Sequence, residues 1–146
     1  LTELRQALIE AKHLSNVRIH DGDARDLLAA LPDGSFQRIY LLYPDPWPKA
    51  RHLKRRLIQG PFVERLMQYL KVGAYIHCAT DVQDYAVQML SVLSATAGLK
   101  NLSTAPEDGG YHAPSNPFAQ RPTTKFEARG QRLGHGMWDV VFEKTG

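Results

Sequence analysis

Apolar positions recur along this chain at two spacings, and the switching between them predicts an α/β fold. Leu1, Leu4, Leu8 and Ala11 fall at helical spacing, with polar Glu3, Arg5, Gln6, Glu10 and Lys12 between them. Residues 16–20 read as a short strand ending in Asp21-Gly22-Asp23, and residues 24–31 as a short helix closed by the turn Pro32-Asp33-Gly34-Ser35. Phe36 to Tyr43 is a nearly continuous apolar run, as in strands buried on both faces of a parallel sheet. Gly60-Pro61 opens a helix with Phe62, Leu66 and Leu70 on one face, Pro61 suiting its first turn, and Gly73 ends it before a strand over 74–80. Asp81 stands in N-cap position, with Asp84 three residues on, before a helix striped by Val82, Tyr85, Ala86, Met89, Leu90 and Leu93. Residues 99–103 form another short strand. Residues 104–122, rich in Pro, Gly, Ser and Asn, read as a long surface loop. Residues 137–143 alternate, placing Trp138, Val140 and Phe142 on one face.

The order α-β-α-β-α-β-α-β-loop-β predicts a mostly parallel sheet whose last two strands pair antiparallel. With no internal repeat and no dividing linker, residues 1–146 read as a single domain. In open sheets of this kind ligands bind outside the carboxyl ends of the strands. Three carboxylates fall there: Asp23, Asp45 and Asp81. Asp23 reads as well as the N-cap of the helix from Ala24, and Asp81 equally as a helix cap.

Charge changes the picture more than composition does. Five of the 18 Lys and Arg residues lie in the window 49–56, and without them the formal net charge of +3 becomes −2. The positive charge is therefore concentrated at Lys49, Arg51, Lys54, Arg55 and Arg56, beside His52, with no acidic partner at helical spacing. A run like this is either a solvated helix start or a contact for a polyanion, and its local concentration favours the polyanion. Immediately before it stands Tyr43-Pro44-Asp45-Pro46-Trp47-Pro48, where three prolines stiffen the backbone around one carboxylate.

The remaining composition mostly excludes. With 43% apolar and 23% charged residues the chain is an ordinary soluble globular one. The single cysteine, Cys78, rules out an internal disulfide and reads as a small buried hydrophobe; no Cys/His spacing suggests zinc. No apolar run approaches the roughly 20 residues needed to span a bilayer and no signal peptide is visible, so a cytoplasmic location follows by default. Gly130, Gly134 and Gly136 lack the spacing of a dinucleotide-binding loop.

Three stretches bring a family into view: Tyr43 to Arg56, Arg121-Pro-Thr-Thr-Lys-Phe-Glu127, and Arg129-Gly-Gln-Arg-Leu-Gly-His-Gly-Met-Trp-Asp139. Together they closely resemble the bacterial tRNA (guanine-N7-)-methyltransferases, in the same order over nearly the whole chain. The resemblance implies a Rossmann-like class I fold that uses S-adenosylmethionine to methylate N7 of a guanine in the tRNA variable loop. By matching motifs it implies that Asp45 is the active-site acid close to the cofactor and Asp23 a cofactor contact. Lys49, Asp81, Thr124, Lys125, Phe126 and Glu127 would contact substrate, and Arg51, His52, Lys54, Arg55 and Arg56 the RNA. Trp47 or Phe126 would stack on the target base or pack in the core.

The chain's first glycine, Gly22, follows what resembles the family's third strand. The resemblance therefore implies that the first two strands, with their Gly-rich cofactor loop, are missing. What remains would be a C-terminal portion, incomplete for cofactor binding, acting as a monomer or homodimer. A non-catalytic tRNA-binding module derived from a methyltransferase is the alternative.

Overall fold

A computed structural model describes residues 16–103, 109–112 and 136–146, together with Glu3, Gln6, Ala7 and Glu10. They fall into two compact units, Leu1–Pro32 and Asp33–Gly146.

In the first unit Glu3, Gln6, Ala7 and Glu10 are helical, as their spacing predicts, and the Gln6 amide donates to Glu10 at 3.0 Å. The strand expected over 16–20 does not form: these residues have no ladder, and Val17 is exposed. With Asn16, Arg18 and His20 at three of five positions, the segment has too little apolar surface to secure a place in a sheet. Helix α1, Ala24–Leu28, is shorter than expected; residues 30 and 31 continue in single turns, Ala30 N–H donating to Leu27 O and Leu31 N–H to Leu28 O.

The second unit is one four-stranded sheet with two helices: β1 (Phe36–Leu42), a 3-10 helix (Ala50–Arg55), α2 (Gly60–Tyr69), β2 (Leu70–Thr80), α3 (Gln83–Ala95), β3 (Leu99–Asn101) and β4 (Trp138–Lys144). The spatial order is β1-β2-β4-β3. β1 runs parallel to β2, with Ile39 beside Ile76 and Leu41 beside Cys78. β4 runs antiparallel to both β2 and β3, so three strands share a direction and the last opposes them. The mostly parallel sheet with an antiparallel C-terminal strand is as expected.

Strand β2 begins four residues earlier than the apolar pattern suggests. Gly73 does not stop the helix; it lies inside the strand at φ +84°, in a bulge where pairing jumps from Phe36↔Leu70 to Arg38↔Tyr75. The helix end is tied down from a distance instead. The Lys144 ammonium donates to Met67 O at 2.8 Å and to Leu70 O at 2.9 Å, satisfying carbonyls a turn residue would otherwise serve. Asp81 is likewise not the N-cap of α3. That position is Val82, whose N–H donates to the Thr80 hydroxyl at 3.2 Å.

One sheet face packs into the core. Ile76, Cys78, Val140 and Phe142 meet Val63 from α2 and Tyr85, Met89 and Leu93 from α3, with Ile39 and Leu41 against them. Burial pushes the Cys78 thiol well above its ordinary range, with the Asp139 carboxylate adding to the shift. A thiol-specific maleimide at neutral pH should therefore label the folded protein at least about 10²-fold more slowly than the denatured one, followed by intact mass. Equal rates would mean the core opens at Cys78.

Candidate functional site

At the carboxyl end of β1 the chain leaves the sheet through residues 43–48. Tyr43 N–H still donates to Ala79 O of β2 at 2.9 Å, and its hydroxyl donates to the Met137 sulfur at 3.5 Å. Tyr43 and Trp47 then adopt left-handed backbone at φ 52° and 41°, each immediately before a proline. Bulky side chains carry a cost of roughly 1–2 kcal/mol there. Asp45 stands exposed between these two turns, and no described residue bonds its carboxylate.

The basic run continues as the 3-10 helix Ala50–Arg55, whose end carbonyls are gathered by one side chain. The Gln59 amide donates to Leu53 O, Lys54 O and Arg56 O at 3.3, 2.8 and 3.1 Å. Lys49, Arg51 and Lys54 are exposed, with no ion-pair or hydrogen-bond partner for their cationic groups among the described residues. Arg55 is exposed but lies over the Trp47 ring at 5.1 Å, while His52 meets the same ring edge-on at 5.6 Å. Trp47 is thus held by its own segment rather than by the core.

Arg56 departs from the expected RNA-facing run. Its side chain is 2% exposed and turned inward, where its guanidinium donates to Pro46 O at 2.6 Å, Gln88 Oε1 at 2.9 Å and Asp84 Oδ2 at 2.8 Å. It also lies 4.7 Å from the centre of the Tyr85 ring. A guanidinium engaged by four protein partners is not offered to a phosphate. The same helix holds the next residues, Tyr85 Oη accepting from Ile58 N–H at 3.1 Å and the Gln88 amide donating to Ile58 O at 2.9 Å. Pattern reading does not find this role, because the acid that answers Arg56 lies 28 residues away.

Asp81, partly exposed, follows β2 at the same sheet end as Asp45 follows β1, so two of the three expected carboxylates leave adjacent parallel strands. Asp23 lies in the other unit and is engaged locally. It caps α1 by accepting from Arg25 N–H at 2.9 Å, and it forms a fork with the Arg25 guanidinium at 2.6–3.1 Å. These residues fit a cofactor only in part. A carboxylate at a strand's carboxyl end with no partner among the described residues, such as Asp45, suits a cationic or hydrogen-bond-donating group. Asp23 already accepts from Arg25 through both oxygens and remains exposed beside it. Thr124, Lys125, Phe126 and Glu127 lie outside the described residues.

His77, which carries no sequence pattern, is buried on the other sheet face and bonded through Nε2 to Asp139 Oδ2 at 2.6 Å, with the Tyr40 ring 5.3 Å away. Among the described residues no group of His, Cys, Asp and Glu is arranged to hold a metal ion, and no helix is long and apolar enough to cross a membrane.

Comparison with known proteins agrees with this layout. Residues 3–140 match the model of a family described as "Putative methyltransferase". The tRNA (guanine-N(7)-)-methyltransferase of Neisseria meningitidis serogroup A is 51% identical over 95% of this chain and 56% of its own length. That of Ralstonia nicotianae is 54% identical over 94% of this chain and 52% of its own. The chain thus spans about half the length of the curated relatives it matches. A crystal structure of an SAM-dependent O-methyltransferase from Thermotoga maritima superposes with a TM-score of 0.51 at 13% identity, covering 97% of this chain and 44% of that one. This likeness shows a shared class I methyltransferase fold. The match over residues 3–140, beside relatives about half identical, places the chain in the methyltransferase family, together with the tRNA (guanine-N(7)-)-methyltransferases.

Proposed function

We propose that the full-length protein transfers a methyl group from S-adenosylmethionine to N7 of a guanine in the tRNA variable loop, as a cytoplasmic tRNA-modifying enzyme. The observation that carries this reading is Asp45, a carboxylate on a stiff turn with no partner among the described residues, leading directly into an exposed cationic segment. The activity for which the relatives are named supplies the reaction class.

Guanine N7 already presents a lone pair, so the transfer needs no prior deprotonation; alignment and electrostatics supply the rate. S-adenosylmethionine brings an electrophilic methyl group on a positively charged sulfur. Asp45 accepts hydrogen bonds from the amino edge of the target base and favours the positive charge that develops on the ring. Asp81, with Glu127, shares that work, and Thr124, Lys125 and Phe126 contact the substrate. Lys49, Arg51, Lys54 and Arg55, beside His52, hold phosphates and orient the tRNA without reading bases. Arg56 is left out of that group because its guanidinium is buried. Asp23, exposed beside its Arg25 partner, contacts the cofactor.

The test is direct. Unmodified tRNA is incubated with the full-length protein and the methyl donor, digested to nucleosides and read by mass spectrometry. 7-methylguanosine from the variable loop is expected. Tight tRNA binding without it would favour the non-catalytic module.

A further inference from the structure

We infer that Arg56 is a positioning residue that sets the direction of Asp45, rather than a contact for RNA. The inference rests on Asp45 being the active-site acid. Pro44, Pro46 and Pro48 have no N–H. Among the described residues, the hydrogen bond tying the backbone of residues 44–48 to the rest of the molecule is the one Pro46 O accepts from Arg56 Nε at 2.6 Å. Pro46 is one peptide beyond Asp45. The turns on either side, at Tyr43 and Trp47, are both left-handed, and such backbone persists only where its surroundings over-determine it.

Arg56 supplies that constraint because its own position is fixed at the far side. Asp84 and Gln88 accept from its two terminal nitrogens, and its central carbon lies over the Tyr85 ring, 4.7 Å from its centre. All three belong to α3, which packs on the sheet that carries β1 and β2. The guanidinium therefore transmits the placement of a rigid helix to the peptide beside Asp45. A lysine, a single point charge, cannot reach the loop carbonyl and both helix acceptors in this fork geometry. Adjacent arginines take opposite tasks: Arg55 braces Trp47 from outside and Arg56 braces Pro46 from inside.

The experiment compares Arg56→Met, Arg56→Lys, Asp45→Asn and the double variant Asp45→Asn/Arg56→Met in the full-length protein. Single-turnover methylation, tRNA affinity against salt, and melting temperature are recorded. Arg56→Met should slow methylation by about 10- to 100-fold, as expected for a misaligned reacting group, with tRNA affinity within about twofold. Its salt slope should not change, and Arg56→Lys should recover part of the rate. The double variant should be no slower than Asp45→Asn within about threefold, because misplacing a group already disabled costs nothing further. A purely structural role would not give that non-additivity.

Full rate in folded Arg56→Met, additive losses in the double variant, or a salt slope reduced by about one would each overturn the inference. Should Arg56→Met fail to fold, Gln88→Met removes one far anchor without touching the loop, and wild-type rates in both it and Arg56→Lys would overturn it. An Asp45→Asn enzyme as fast as wild type would instead remove the reading of Asp45, and this inference with it. A slow Asp45→Asn beside a fast Arg56→Met would remove only the role of Arg56.

Discussion

Asp45→Asn in the full-length protein should lower kcat by about 10²-fold or more while leaving tRNA affinity within about twofold. The substitution keeps the size and the backbone of the turn, whose conformation is set by Pro44, Pro46 and the Arg56 hydrogen bond. It removes only the charge. In the ground state guanine is neutral and gains little from a nearby carboxylate; as the methyl group arrives the ring becomes cationic and gains much more. An interaction that strengthens on the way to the transition state appears in kcat rather than in binding. Single-turnover methylation over a range of tRNA concentrations separates the two. A variant with wild-type turnover would reduce Asp45 to a turn residue.

Reversing Arg51 and Lys54 to Glu should weaken tRNA binding by about 10²-fold or more and lower the salt slope by about one for each phosphate no longer neutralised. These two are chosen because their charges have no partner among the described residues, so the fold does not depend on them. Arg56→Glu belongs in no such test. It would set a carboxylate against Asp84 in a buried site and destabilise the protein whatever it did to RNA. Filter binding at several salt concentrations gives affinity and slope together. Unchanged values would return the basic run to an ordinary solvated surface.

Much of this is legible in the chain and some is not, for reasons that can be located. Period and composition find β1, α2, α3 and β4 because each has an apolar face of its own to bury. They misplace the start of β2, because what ends α2 is Lys144 reaching back to Met67 O and Leu70 O, not a local stop at Gly73. They suggest a strand at 16–20 from two β-branched residues, which the sheet does not accept. Asp45 is visible because prolines announce a fixed backbone in the sequence itself. The separate task of Arg56 is not, since charge windows count residues without regard to which way a side chain turns. The fork between Asp23 and Arg25 is a further local interaction that counting charges does not reveal, a capping carboxylate paired with the arginine two residues on.

The position of β4 has a consequence for how the protein is made. Residues 138–144 are not added at an edge; they fill the slot between β2 and β3. In the folded sheet β2 and β3 lie two strand spacings apart, about 10 Å, so without β4 neither could pair with the other and the N–H and C=O groups they turn toward β4 would be unpaired. α2 and α3 can form earlier, because their hydrogen bonds are local, but the sheet they cover cannot close. A nascent chain stalled after residue 103 would carry helices on an open, adhesive sheet, and release of the last strand would convert it cooperatively to a protease-resistant state.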